Sequence, residues 1–230
     1  MLILALDTST RGGSVAVTND DQLLALVPGD ETRTHGERLP GEIAAALQQA
    51  GVSRRALDLL AVATGPGAFT GLRIGLATVQ GLAMALGRPV AGISALDALA
   101  WQIGDEPADF IAPWMDAQRG EVFGALYSAG RVIEPPGAAR PETLLNLWRH
   151  RIDGHSVSFI GDAVNRDAKA IAQLGGGRWT TRVPTPLAPA IAVLARQQSL
   201  AGLGGPPHAL EPIYVRRSDA EIERDRRERT

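Results

Sequence analysis

Two aspartates head the residues able to do chemistry. Asp7 ends the apolar run of residues 2–6 and opens Asp7-Thr8-Ser9-Thr10, and Asp116 ends residues 110–115 and precedes Ala117-Gln118-Arg119-Gly120. Carboxylates at the ends of buried strands can hold a metal-bound water beside nucleotide phosphates, the chemistry of a two-lobed ATPase. The plainer reading is a carboxylate accepting N–H bonds from its own loop. A third feature is the glycine-rich stretch 64–75, "TGPGAFTGLRIG", which follows the strand-like "LDLLAVA" and opens a long helical pattern. A Walker A loop needs a lysine and a serine or threonine after its last glycine, whereas Gly71 is followed by Leu72 and Arg73. The dinucleotide pattern G-x-G-x-x-G fails as well, because Gly65, Gly67 and Gly71 miss its spacing by one residue. What remains is a turn at a helix start, with free N–H groups or simply a tight connection.

No other constellation is complete. The histidines are His35, His150, His155 and His208, with no paired metal-ligand spacing. Gly92-Ile93-Ser94-Ala95-Leu96 lacks the second glycine of a nucleophile elbow. The 230 residues contain no cysteine, which removes thiolate chemistry and disulfides together. A formal charge of -2 gives no global basic field for nucleic acid or membrane. The composition predicts a cytoplasmic α/β protein with no catalytic group and no metal site of its own.

The elements that must position these residues follow from patterning. Residues 2–6, 13–18 and 22–27 read as a strand and a hairpin, and Thr34 with Glu37 forms a capping box that starts a helix over about 35–50. Pro40 predicts a kink or a later start. Residues 57–64 and 89–94 are further strands, 70–86 a helix of about 25 Å, and 95–103 a short helix. Strand, aspartate, turn and strand then recur at 110–127, which predicts two halves built alike, 1–103 and 104–215. Helical patterns follow near 164–174 and 187–200, the last able to pack back on the first half. Residues 216–230 carry six arginines and five acids and read as a solvated, flexible tail.

The helix at 70–86 is apolar nearly all round, with only Arg73 and Gln80 in a polar sector. A surface helix has an apolar stripe of roughly 100°, so this one is expected to be covered on two sides. Leaving Leu72, Leu76 or Met84 in water forgoes roughly 1.5–3 kcal/mol each. Its glycines allow close backbone approach, either within a larger domain or at another subunit.

These segments together resemble the bacterial TsaB (YeaZ) family. The resemblance rests on "ILALDTST" (3–10), "HGERLP" (35–40), "GPGAFTGLRIGLATVQGLA" (65–83), "DAQRGEVF" (116–123) and "PIYVR" (212–216), which looks like the family's closing strand. It implies an actin/Hsp70-like, ribonuclease H-like fold of two duplicated lobes, each a mixed sheet with flanking helices. It also implies a non-catalytic scaffold for the threonylcarbamoyl transferase TsaD, with the ATPase TsaE as third component, in making N6-threonylcarbamoyladenosine in tRNA. No cofactor is required of this chain; a nucleotide or magnesium ion at the subunit junction would come mainly from the partner. A homodimer is expected when the chain is alone, tRNA contact is expected to be indirect, and no membrane is involved. The implied partner interface comprises His35, Leu39, Ile43, Gly71, Leu72, Arg73, Ile74, Gly75, Leu76 and Val79. On this reading a leucine at Gly75 parts the two subunits and leaves the fold intact. Asp7, Thr8, Ser9 and Asp116 become vestiges of a nucleotide loop. The competing reading is an enzyme in its own right, an actin-like ATP hydrolase or a metallopeptidase.

Overall fold

The computed structural model describes residues 1–216, so the tail expected over 216–230 lies, apart from Arg216, outside the described residues. The first half runs β1 (Leu2–Asp7), β2 (Ser14–Asn19), β3 (Gln22–Pro28), α1 (His35–Ala50), β4 (Leu59–Gly65), α2 (Phe69–Leu86), β5 (Val90–Ser94) and α3 (Ala95–Ile103). The second runs β6 (Phe110–Asp116), β7 (Val122–Ser128), β8 (Arg131–Ala139), α4 (Pro141–Ile152), β9 (Val157–Ile160), α5 (Val164–Gly175), β10 (Trp179–Arg182) and α6 (Ala188–Leu200).

Each half makes one five-stranded mixed sheet, and the two share a topology. The orders are β3-β2-β1-β4-β5 and β8-β7-β6-β9-β10, each with an antiparallel meander at one side and parallel strands at the other. The repeated strand–aspartate–turn–strand pattern is therefore a duplicated lobe, as in actin/Hsp70-like folds.

Strand alternation assigns the cores. Leu4 and Leu6 face α1 and α2 with Val15, Val17, Leu60 and Val62. Ile3 and Ala5 face the other way, into a layer made by α3 and α6. That layer also receives Met115, Phe123, Ala125 and Tyr127 from the second sheet, so the lobes share one apolar core. Tyr127 Oη donates to Asp97 Oδ1 across it at 2.6 Å. Burial of the phenol and this acceptor raise the Tyr127 pKa well above its ordinary value. A third core, around Trp114, Trp148 and Phe159, lies between the second sheet and α4 and α5.

Several expectations need correction. α1 starts at His35 and continues through Pro40, so there is no later start; the Glu37 carboxylate accepts from the Thr34 N–H at 2.9 Å. β8 has no counterpart among the expected strands, and it contains Pro135 and Pro136. Both sit on an edge strand where its pairing with β7 shifts register, and there missing N–H groups cost little. "PIYVR" is not a strand; within it Ile213 donates to Thr64 O at 2.8 Å.

Candidate functional site

α2 begins where β4 ends, and its first turns lie against the β1–β2 loop. A Cβ at Gly71 would stand 2.3 Å from Thr8 O, and one at Gly75 would stand 2.2 Å from Thr8 Oγ1. These glycines therefore admit the chain's own backbone. The Thr8 hydroxyl is fully buried in this contact and has no hydrogen-bond partner among the described residues.

This corrects most of the expected interface. Leu39, Ile43, Leu72, Leu76 and Val79 are buried in the chain's own cores, as are Gly71 and Gly75. The wheel was apolar all round, so sequence could not tell the sheet-facing side from the outer one. The structure can: Arg73, Ala77, Gly81, Met84 and Ala85 are exposed, while Ile74 and Thr78 are half-buried at the edge. Met84 is 74% exposed. A Cβ at Gly81 meets nothing within 4 Å, in contrast to Gly71 and Gly75. Arg73, Ala77, Gly81 and Ala85 form an i, i+4 row of mostly small side chains open to solvent. α2 is long and apolar enough to cross a membrane by length and composition, yet only a third of it is buried. Its inner side is taken by the sheet and α1; its outer side is bare.

His35 is part of the α1 anchor. Arg38 donates from Nη2 to His35 Nδ1 at 2.8 Å, so the imidazole carries its proton on Nε2 and donates to Thr10 O at 3.0 Å. Partial burial, then the Arg38 charge, lower the His35 pKa. Arg38 is itself buried and reaches Glu42 Oε1 at 2.5 Å and the carbonyl of Gly12. Both His35 nitrogens are thus committed within the chain.

Between the lobes a cleft of about 950 Å³ opens beside the α2 N-terminus, lined in part by Ser9, Thr10, Phe69, Asp116, Asp162 and Tyr214. Asp116 and Asp162 line it, whereas Asp7 is buried, and the oxygens of Asp7 and Asp116 accept bonds from the chain itself. Asp7 Oδ1 accepts from the Ser9 N–H (2.8 Å) and Ser9 Oγ (2.6 Å), and Oδ2 from Thr10 Oγ1 (2.7 Å). Asp116 accepts from the Gln118 N–H (3.0 Å), Gln118 Nε2 (3.0 Å) and Arg166 Nη1 (2.5 Å). The second lobe thus sets a guanidinium directly against Asp116. Arg166 also grips Asp167, through Nε to Oδ1 at 2.8 Å and Nη2 to Oδ2 at 2.9 Å. These carboxylates raise the Arg166 pKa. Asp162, which sequence reading passed over, accepts the Asp116 N–H at 2.8 Å. Asp162 is exposed at the cleft, and the protein beside it partly desolvates the carboxyl. That desolvation, with the charges of Asp116 and Asp7, raises its pKa. A metal ion does not fit this donor set: among the described residues no three His, Asp or Glu side chains are grouped to hold one.

At the cleft mouth Tyr214 stacks on Phe69 with centroids 5.0 Å apart, and Arg73 lies over the other part of the group, 3.9 Å from the Phe69 centroid. Arg73 Nε donates to Tyr214 Oη at 3.1 Å. The separation of 141 residues between Arg73 and Tyr214 hid this cluster from any local pattern.

Residues 19–172 match the family model "TsaD: tRNA N6-adenosine threonylcarbamoyltransferase". The chain is 27% identical over 226 residues to the tRNA threonylcarbamoyladenosine biosynthesis protein TsaB of Bacillus subtilis, covering 96% of each. A solved structure from Pseudomonas aeruginosa, described as an uncharacterized protein with similarity to peptidase YeaZ, superposes with a TM-score of 0.78. It is 30% identical, with 94% of this chain and 99% of that one covered. The ROK hexokinase of Thermus thermophilus, at 15% identity and a TM-score of 0.51, covers 88% of this chain and all (100%) of that one and shares the fold alone.

Proposed function

Since the chain belongs to the TsaB (YeaZ) family, within the group that the TsaD model describes, we propose that it is a non-catalytic dimerisation subunit in the biosynthesis of N6-threonylcarbamoyladenosine in tRNA. Its partner is a TsaD-type transferase, which it binds through the outer face of α2. The observation that carries this reading is the bare row Arg73, Ala77, Gly81 and Ala85 with Met84 beside it, on a helix whose other side is fully used. Small side chains let a second helix approach closely, and burying Met84 at such a contact contributes roughly 1.5–3 kcal/mol. TsaE joins as a third component, and tRNA is reached through the partner. Without a partner, a second copy of the chain covers the same face.

The chain needs no cofactor for this role; a nucleotide or magnesium at the junction is the partner's to hold. The alternative, an ATP hydrolase or metallopeptidase in its own right, has the cleft in its favour. Against it stand Asp7, buried and accepting three bonds from its own loop, and Asp116, tied to Arg166.

Native mass spectrometry of the chain mixed with the TsaD of the same organism tests the proposal. A one-to-one complex is expected, lost on Met84→Glu while the melting curve of the free chain is unchanged. A complex that survives both Met84→Glu and Ala77→Arg would point to another face.

A further inference from the structure

The segment after α6 does more than finish the fold. It returns to α2, where Gln80 Nε2 donates to Pro207 O at 3.1 Å and Leu210 O at 3.2 Å. Leu210 then sinks into the core beside Gly92, where a Cβ would stand 2.9 Å from its Cδ2. The Ile213 N–H donates to Thr64 O, and a Cβ at Gly65 would stand 2.7 Å from Ile213 O. Two glycines, on different strands, thus leave room for this one segment. Tyr214 stacks on Phe69 and holds Arg73, and Arg216 Nη1 crosses to Glu121 Oε2 of the β6–β7 turn at 2.9 Å.

We propose that residues 206–216 are a strap coupling the outer face of α2 to the second lobe. The proposal rests on the reading of that face as the TsaD-binding surface and adds its regulation. Arg73 belongs to the exposed row, yet its side chain is fixed by Tyr214, which the Ile213–Thr64 bond anchors to the first lobe. One residue beyond Val215, Arg216 ties the same segment to the second lobe. A change in the angle between the lobes pulls on the Arg216 end and alters the hold on Arg73 at the other. The cleft is lined by Phe69, Tyr214 and Arg216, so anything that opens or closes it shifts partner affinity. By linkage, partner binding shifts the cleft equally.

The test uses full-length chain and its TsaD, with hydrogen–deuterium exchange of the free chain and affinity for the partner as separate readouts. Tyr214→Ala removes the stack, and Glu121→Gln takes the charge out of the link to the second lobe and weakens it. Both are expected to speed exchange at residues 69–75 and at the Ile213 amide. Affinity is expected to fall roughly two- to tenfold for Tyr214→Ala, as loss of an aromatic pair implies. For Glu121→Gln it falls roughly two- to fivefold, the range of a partly exposed ion pair. Unchanged exchange in Glu121→Gln overturns the strap, whatever the affinity. Faster exchange with unchanged affinity overturns its coupling to the partner face. Met84→Glu in parallel separates the two readings: if it abolishes binding while Glu121→Gln has no effect, the face stands and the strap falls.

Discussion

Gly71 lies against the backbone of Thr8 so closely that a methyl group there would stand 2.3 Å from the Thr8 carbonyl oxygen. One turn later Gly75 abuts the Thr8 hydroxyl. Enlarging either glycine therefore injures the fold before it reaches a partner. Gly71→Ala is expected to cost about 1–3 kcal/mol through overpacking, more than the helix propensity of alanine returns. In a chain of this size that is about 2–4 °C of melting temperature for each kcal/mol. Gly81→Ala faces open space and is expected to raise the melting temperature of the free chain while weakening partner binding. Calorimetry of the two variants side by side checks both; equal effects would contradict the assignment of faces.

Asp7→Asn should act as a structural lesion. The carboxylate accepts from two hydroxyls and one N–H, and an amide places a donor where one of these needs an acceptor. A loss of about 1–3 kcal/mol is expected in denaturant unfolding. Isolated wild-type protein is expected to show no turnover of ATP with magnesium. Robust turnover that Asp7→Asn removes would reverse the reading of the cleft.

His35 links stability to pH. Its pKa is lowered on folding, so between the folded value and the ordinary 6.5 the unfolded chain binds more protons. Its contribution is thus present above about 6.5 and is lost as pH falls toward the folded value. The surrounding charges are Arg38, Asp7 and Glu42. In His35→Gln, which can still accept from Arg38 and donate to Thr10 O, melting temperature should depend less on pH between 7.5 and 5. Parallel curves for variant and parent would rule His35 out.

Asp162 has the opposite sign. Its folded pKa is raised, so the folded chain binds more protons in the window above 3.8, and ionisation above the folded value costs stability. Asp162→Asn retains an oxygen for the Asp116 N–H. It is expected to raise the melting temperature at pH 7 by up to about 3 °C, with the gain vanishing as pH falls toward 3.8. A gain that persists at acid pH would show that packing, not charge, is responsible.

Sequence pattern revealed most of the strands, the repeat and α2 because each is a local signal. The unbroken apolar run of residues 2–6 marks a strand buried on both faces, and Asp7 and Asp116 recur at matching turns. What stayed hidden depends on residues far apart in the chain. Gly71 and Gly75 promised close packing, but only the position of Thr8 shows that the packing is internal. Met84 was expected to be covered, by this chain or by another, and a wheel with only Arg73 and Gln80 polar did not show which side of α2 faces out. Tyr214 and Arg166 meet their partners across 141 and 50 residues, beyond any spacing rule.

The Arg166 fork has a consequence for how this cleft can change by substitution. Freeing Asp116 for an ion means removing Arg166, and that strands Asp167, which is 8% exposed and also holds the Trp114 indole N–H at 2.9 Å. Trp114 stacks edge-on with Trp148 and Phe159, the centre of the second lobe. Opening Asp116 to an ion by substitution is therefore expected to destabilise the second lobe first, because the guanidinium that covers it also holds a carboxylate of that lobe's centre.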